Sequence, residues 1–216
     1  MSTDVQALRE AVVQTCRDMS RLGVAKGTSG NVGVRHGEGF LISPTGIGYE
    51  QMRPEQVVQV FWDGSFEGQT LPSSEWRFHR DILFHRREFN AVVHTHSVHA
   101  TALSIHARGI PAIHYRIAAA GGSDIRCAEY ATFGEQALSD NALKAMQGRK
   151  ACLLAHHGVI AAESSLPRAL ALAVTVEELA QQYLLSLALG TPPVLDDEEI
   201  ARVIAKFRSY GQQRPG

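Results

Sequence analysis

The sequence predicts an α/β protein of one domain, residues 1–216, in which amphipathic helices alternate with short strands. Apolar residues recur at helical spacing in residues 4–22 and again in a long stripe over residues 172–187. Two short apolar runs, Ala91-Val92-Val93 and Ala151-Cys152-Leu153-Leu154, are typical of buried strands. A chain of 216 residues is long enough for one sizeable core but short for two, and it contains no internal repeat or linker.

The composition is that of a soluble globular protein, with 44% apolar and 20% charged residues. The net charge is −1 and the basic residues are scattered, which gives no electrostatic case for nucleic acid or a membrane as a partner. Three distant cysteines without a Cys-x-x-Cys pattern favour a reducing compartment. Because we find neither a secretory signal nor an apolar segment of ~20 residues, we expect a cytoplasmic protein.

Three helices have clear ends in the sequence. The first covers residues 4–22, between an N-cap at Asp4 and a glycine stop. A long helix begins near Ser165 and stops at Gly190, and a last one begins near residue 196. The residues predicted for the buried face of the first helix are Leu8, Val12, Thr15, Cys16, Met19 and Leu22.

A glycine-rich region after the first helix predicts a hairpin over residues 32–42 that turns near residues 36–39. The loops at its outer ends are Gly27-Thr28-Ser29-Gly30-Asn31 and Ser43-Pro44-Thr45-Gly46. Such loops either hold an anion on backbone N–H groups or serve only as turns, and taken alone these two favour turns. Residues 57–71 predict further strand around an Asp-Gly turn.

A helix with a polar start is predicted next. Ser73 or Ser74 is its expected N-cap, and the helix runs to about Glu88. Its unpaired N–H groups and the two hydroxyls offer a seat for a phosphate. Glu75 in the first turn is either an acid favoured by the helix dipole or a base or metal ligand beside the anion. The residues expected on its inner side are Trp76, His79, Ile82 and Leu83.

Histidines close both buried strands. Side chains alternate along a strand, so His94 and His96 face the same way and offer two corners of a metal site, although ordinary polar residues at a strand end remain the alternative. The second strand ends in His156-His157-Gly158. Adjacent histidines on an extended chain face opposite ways, so one of this pair is expected to be a ligand. Two strands of one sheet thus predict a site of three imidazoles.

Between these strands the chain alternates short elements. We expect a helix over residues 97–105, a short strand over residues 110–115 and a flexible loop over residues 117–123. A helix then follows Gly134 and ends before Gly148.

Taken together, these motifs resemble the class II, zinc-dependent aldolases of the L-fuculose-1-phosphate aldolase type, a family that also contains a pentulose-phosphate epimerase and a dehydratase. The resemblance runs essentially end to end, and the order and spacing of the motifs make it specific. Besides the two loops already quoted, it rests on Pro72-Ser73-Ser74-Glu75-Trp76, His94-Thr95-His96, Ile113-His114-Tyr115, Ala131-Thr132-Phe133-Gly134, His156-His157-Gly158 and the tail Lys206-Phe207-Arg208-Ser209-Tyr210-Gly211.

The resemblance implies a three-layer α/β fold, with a central, largely antiparallel or mixed sheet flanked by helices. It implies one Zn²⁺ per subunit, held by His94, His96 and His157 with Glu75 as the fourth ligand of the resting enzyme. His156 would be a neighbour and not a ligand. It also implies a homotetramer with active sites between subunits.

The resemblance further assigns the substrate site. Tyr115 would reach a neighbouring subunit's site and act with Glu75 in catalysis, while Phe133 and Tyr210 would border an aldehyde pocket. The phosphate-binding positions would be Thr28, Gly30, Asn31, Thr45, Gly46, Ser73 and Ser74.

The implied reaction is reversible cleavage of a ketose 1-phosphate, such as L-fuculose 1-phosphate, to dihydroxyacetone phosphate and an aldehyde such as L-lactaldehyde. 5-Deoxyribulose 1-phosphate and 5-methylthioribulose 1-phosphate are the alternative substrates, and an epimerase or dehydratase reaction is the weaker alternative. A metal-binding module without activity would explain the histidines but not the loops. Ala155 stands where glutamine is common before the His-His-Gly motif, so the preferred sugar stays open.

Overall fold

The computed structural model describes residues 3–207. Tyr210 and the end of the tail motif lie outside this range, so their predicted roles are not addressed by it. The α-helices of this part of the chain are α1 (Thr3–Arg21), α2 (Trp76–His85), α3 (Val98–Ile105), α4 (Gln136–Ala145), α5 (Leu166–Ser186) and α6 (Asp197–Phe207). Its strands are β1 (Gly30–His36), β2 (Gly39–Ile42), β3 (Val58–Phe61), β4 (Ala91–Thr95), β5 (Ile110–Pro111), β6 (Asp124–Ile125), β7 (Cys127–Ala128), β8 (Ala151–Leu154) and β9 (Gly158–Glu163).

Seven of these strands form one sheet in the order β3-β2-β1-β4-β9-β8-β7. All neighbours are antiparallel except β7 and β8, and β5 pairs with β6 in a separate two-stranded sheet. Strand β4 lies in the middle, between β1 and β9. The buried-strand patterns of residues 91–93 and 151–154 correspond to β4 and β8, and both strands are buried along their whole length.

Helices cover both faces of the sheet, which confirms the expected three-layer α/β fold. Side chains alternate along each strand, so Val93 packs into one core while Val92 packs into the other. The first core includes residues of α1, α3, α5 and α6, and the second includes residues of α2 and α4. Burial on both faces explains why the central strands contain continuous apolar runs.

The helix ends agree with the sequence in most places. Helix α1 is followed by Gly23 with φ +73°, the left-handed conformation of a helix stop. Leu22, predicted for the buried face, is instead 56% exposed because it falls beyond the last helical turn. In α6 the N-cap is Asp196, whose Oδ1 accepts a hydrogen bond from the Glu199 N–H at 2.8 Å.

Helix α2 begins one or two residues later than a cap at Ser74 or Ser73 would place it. Its N-cap is Glu75, whose backbone N–H donates to Ser73 Oγ at 3.3 Å, and it ends at His85 instead of about Glu88. Ser73 thus stabilises the turn before the helix, and an acidic residue, Glu75, occupies the N-cap position. This shift places the Glu75 side chain near the end of β4, beside His94.

The middle of the chain differs most from the expectations. Residues 57–71 contain only strand β3 and an isolated bridge between Val60 and Phe66. Residues Tyr115–Ala120 form a 3₁₀ helix, where a strand end and a flexible loop were predicted. Buried Ile117 anchors this helix through tertiary contacts. Because these contacts are made with residues distant in sequence, they produce no local hydrophobic periodicity from which the helix could be predicted. Strand β9 was not predicted from the sequence.

None of the helices within residues 3–207 is long and apolar enough to cross a membrane.

Candidate metal centre

The sheet brings the predicted histidines together at one end of β4. Thr95 of β4 pairs with Val159 of β9, so His96 and His157, which lie just outside this pair, are neighbours. His94 and Ile160 face each other in the same register. Glu75 reaches the group from the turn before α2, on the side of the sheet that α2 covers.

Four side chains converge on one point: Glu75, His94, His96 and His157 each direct one ligand atom inward, and these atoms lie within 4.8 Å of one another. The Nε2 atoms of His94 and His96 are 2.9 Å apart. Glu75 Oε2 lies 3.3 Å from His94 Nε2, and its Oε1 lies 3.1 Å from His157 Nε2. The group could therefore bind a metal ion.

The three imidazole rings are arranged almost symmetrically. Each pair of ring centroids is 4.8 Å apart, and the planes meet at 72° to 77°. Rings that stacked for packing alone would adopt offset or edge contacts without pointing their nitrogens at a common centre. The shared direction of the nitrogens is the arrangement expected of ligands.

Backbone contacts fix two of the rings. The Nδ1–H of His94 donates to the carbonyl oxygen of Val159 at 2.8 Å, which leaves Nε2 with its lone pair toward the centre. A Cβ atom at Gly158 would lie 2.3 Å from the Thr95 carbonyl oxygen and 3.0 Å from His96 Cδ2. Only glycine therefore fits where β9 passes beneath His96.

The charge states suit a cation. Burial raises the pKa of Glu75, but the neighbouring imidazoles of His94 and His157 lower it by more, so the carboxylate is ionised well below the usual range. Burial, reinforced by the charges of His94 and His157, lowers the pKa of His96 to about 3. His96 is therefore a neutral imidazole whose nitrogen lone pair is available to coordinate a metal ion.

The residues themselves show that a metal fits. Nδ1 of His94 donates to Val159, so a ring that carries only this proton presents a bare Nε2 to the Glu75 carboxylate, and two acceptors then face each other 3.3 Å apart. Glu75 Oε1 is buried and makes no hydrogen bond within residues 3–207. A cation at the centre relieves both features, since it attracts the lone pairs that otherwise repel.

The predicted phosphate positions lie around the same end of the sheet. Backbone hydrogen bonds from Thr45 N to Leu71 O (3.2 Å) and from Ser73 N to Ser43 O (3.0 Å) hold the loop before Gly46 against the turn before α2. Ser43 Oγ also accepts from Val32 N at 3.1 Å, which ties this loop to the start of β1. The structure thus brings together the segments that contain Thr28, Gly30, Asn31, Thr45, Gly46, Ser73 and Ser74.

Asn31 differs from the other predicted phosphate positions. Its side chain is buried, its Nδ2 donates to Glu75 Oε2 at 2.9 Å, and its Oδ1 is hydrogen-bonded to His79 Nε2. The side chain is therefore occupied in holding Glu75. His79 was expected only to pack on the inner side of α2.

A cavity of about 260 Å³ is lined by three of the four converging side chains, Glu75, His96 and His157. Phe133, predicted for an aldehyde pocket, lines it and is 65% exposed. Tyr130 and His156 also line it, with their rings in edge contact at 5.9 Å, and were not predicted there. His156 has φ +55°, a left-handed turn conformation that an extended-strand reading of the His-His pair does not anticipate.

Tyr115 lies elsewhere. It does not line the cavity above the metal group but a second one of about 590 Å³, beside α6 residues such as Arg202 and Val203. Its ring stacks on His114 with centroids 4.6 Å apart and is half exposed. One subunit alone therefore does not bring Tyr115 to its own metal group.

A sheet covered on both faces, with a group of three histidines and one carboxylate that could hold a metal ion, defines this chain as an α/β protein with a candidate metal site. The sequence profile of the family described as "Class II Aldolase and Adducin N-terminal domain" matches residues 10–184. The chain belongs to this family.

Its relatives are similar over nearly their whole length. The L-fuculose phosphate aldolase of Escherichia coli (strain K12) is 54% identical, over 94% of this chain and 95% of that protein. The 5-methylthioribulose-1-phosphate/5-deoxyribulose-1-phosphate aldolase of Rhodospirillum rubrum is 50% identical, over 95% of this chain and 93% of that protein. A solved structure of an L-fuculose 1-phosphate aldolase superposes with a TM-score of 0.91 and 37% identity, covering 96% of this chain and 98% of its own.

Replacing a converging histidine should remove the metal, while replacing its neighbour should not. We expect His96→Ala to lose bound metal on dialysis, because the three remaining ligands leave one face of the ion open. His156→Ala is the matched control, since His156 lies next to His157 in sequence but outside the group. The measurement is metal content per folded chain; equal metal loss in both variants would contradict the site.

Proposed function

We propose that this chain catalyses the reversible aldol cleavage of a ketose 1-phosphate to dihydroxyacetone phosphate and an aldehyde, with Zn²⁺ as its cofactor. The observation that carries the proposal is the convergence of one carboxylate and three imidazoles beside phosphate-type loops, in a chain 54% identical to an L-fuculose phosphate aldolase. The 5-methylthioribulose-1-phosphate aldolase at 50% identity supports the same reaction class with a different aldehyde.

The proposed ligands are His94, His96, His157 and Glu75, one ion per subunit. Three neutral imidazoles suit zinc and leave its positive charge undiminished. Bound there, zinc would supply the Lewis acid that stabilises the negative charge of an enediolate. Within residues 3–207, no lysine lines the cavity to form a Schiff base instead.

Substrate position is proposed to come from the loops. Thr28, Gly30, Thr45, Gly46, Ser73 and Ser74 offer hydroxyl and N–H donors near the first turn of α2, whose helix dipole favours an anion. A phosphate fixed there holds the reacting carbons beside Glu75 and thereby lowers the entropic part of the barrier. Phe133 is proposed to contact the aldehyde half, as is Tyr210.

Glu75 is the proposed base for carbon. In the addition direction its carboxylate removes a proton from C3 of dihydroxyacetone phosphate. The enediolate then adds to the aldehyde, and the new C4 oxyanion takes a proton from Tyr115. Cleavage reverses these steps, with Tyr115 accepting the C4 hydroxyl proton and Glu75 returning one to C3.

Tyr115 makes the oligomer part of the proposal. Because it lies away from its own subunit's metal group, it can serve only a neighbouring site. We propose a homotetramer with shared active sites, working in the cytoplasm on a small phosphorylated sugar.

The substrate is tested by a cleavage assay on L-fuculose 1-phosphate, 5-deoxyribulose 1-phosphate and 5-methylthioribulose 1-phosphate. We expect dihydroxyacetone phosphate from at least one of them and its loss after complete chelation, restored by zinc. An epimerase would release no aldehyde, and a dehydratase would form a diketone phosphate without breaking a carbon–carbon bond. Cleavage that survives full metal removal would refute the zinc mechanism.

Glu75→Gln should abolish exchange of the C3 proton of dihydroxyacetone phosphate, because an amide cannot accept that proton. The exchange is followed in deuterated water without any aldehyde, which isolates this step from carbon–carbon cleavage. Exposed Glu129→Gln is the control and should exchange at the normal rate. Undiminished exchange in Glu75→Gln would exclude Glu75 as the base.

Mixing Glu75→Gln subunits with Tyr115→Phe subunits should restore activity that neither variant has alone. If the two residues of one site come from different subunits, about one site in four becomes intact after random exchange. The activity is measured after reversible dissociation, with each variant reassembled alone as the control. Recovery would fail if both residues acted within one subunit.

A further inference from the structure

His79 is a buried histidine that the proposed mechanism does not use. It lies in α2, one turn after Glu75, and is fully inaccessible to solvent. Its ring stacks on Phe78 with centroids 4.8 Å apart. A histidine in an apolar setting is costly to bury unless its nitrogens have partners, so its contacts indicate its use.

A chain of hydrogen bonds leads from His79 to the metal group. His79 Nε2 bonds to Asn31 Oδ1, and Asn31 Nδ2 bonds to Glu75 Oε2 at 2.9 Å. Asn31 pairs directly with His94 across β1 and β4, so its side chain lies on the same face of the sheet as that ligand. The chain thus connects α2, β1 and Glu75 beneath the metal group.

The direction of each hydrogen bond is fixed by chemistry. The Glu75 carboxylate can only accept, so Asn31 must present its NH₂ group to Glu75 and its carbonyl oxygen to His79. His79 must then donate from Nε2. Burial, with the charge of His94, lowers the pKa of His79 to about 3, so the ring is neutral and carries that single proton. Its Nδ1 is accordingly a bare, buried nitrogen without a hydrogen-bond partner in residues 3–207.

We propose that His79 is a positioning residue that fixes the orientation of the Asn31 amide and, through it, the Glu75 carboxylate. Without the Nε2–H donor, the buried carbonyl oxygen of Asn31 loses its partner, and the amide is held on this path by the Glu75 carboxylate alone. The inference rests on the proposed function in so far as Glu75 is the base. The expected effect of His79 on metal binding does not depend on that reaction.

Gly33 provides the space for this arrangement. It lies in β1, and a Cβ atom there would be 2.7 Å from His79 Nδ1. A methyl group at this position would therefore push the ring away from β1, where Asn31 lies two residues earlier. Gly33→Ala is thus an independent way to disturb the path without removing any of its hydrogen-bonding groups.

The test compares His79→Leu with His79→Gln. Leucine fills the volume without a donor, whereas the glutamine Nε2 can replace the lost donor to Asn31. We expect His79→Leu to lower kcat on the order of 10- to 100-fold with little change in KM, because the phosphate contacts are untouched. The C3 proton exchange should fall in parallel, and His79→Gln should recover most of both rates.

If His79 has only a packing role, the order of activity of the leucine and glutamine variants is reversed. If His79 only fills the core, leucine should retain at least as much activity per folded chain as glutamine, and that result would overturn the proposal. Gly33→Ala should lower kcat in the same direction as His79→Leu, and it serves as the second variant if His79→Leu does not fold. In an Asn31→Ala background the effect of His79→Leu should vanish, since both changes break one path.

Metal affinity separates this inference from the proposed function. Competition for Zn²⁺ with a chelator should show His79→Leu weaker on the order of 10- to 100-fold, with His79→Gln near the wild type. If wild type cleaves no ketose 1-phosphate, the proposed function fails while this measurement still tests the path. Unchanged zinc affinity together with unchanged proton exchange in His79→Leu would refute the positioning role.

Discussion

The pairing of β4 with β1 on one side and β9 on the other is the constraint on which the rest of the structure depends. One register places Asn31 opposite His94, and the other places Val159 where its carbonyl can orient the His94 ring. A shift by one residue would turn His94 into the opposite core, because side chains alternate along the strand. The apolar residues of β4 secure that register, since they fill cores on both faces.

The same register concentrates unfavourable charge. A carboxylate and three imidazoles in one partly buried place lose hydration, and their lone pairs face one another. Two of the four groups also have an anchor outside the centre, since His94 donates to the Val159 carbonyl and Glu75 accepts from the Asn31 amide. A cation that replaces the repulsion by coordination would couple its binding to folding stability, as in other structural ligand sets.

Local periodicity in the sequence was enough to predict part of the site. The common face of His94 and His96 derives from the two-residue repeat of a strand, and this geometry is present. Only one histidine of the His-His pair joins the group, as expected, but His156 lies in a left-handed turn and not in the extended strand from which that choice was derived. The position of Glu75 as a helix cap was not predictable, since Ser73 and Ser74 are better caps by propensity and tertiary contacts overrode them. Strand β9 and the Asn31–His79 contact depend on partners far along the chain, and no local pattern indicates them.

Asn31 connects two parts of the site that the motifs suggest separately. Its backbone ends the Gly27–Asn31 loop proposed to hold phosphate, and its side chain holds the oxygen of Glu75 proposed to act on carbon. Strand β1 makes this connection rigid, because Asn31 is already paired with His94. The distance between the phosphate seat and the base is therefore set by one residue on a central strand, and not by two mobile loops. The proposed reaction needs one carbon atom within reach of one carboxylate. A fixed distance favours this reaction, because its rate falls steeply with small displacements of the reacting groups.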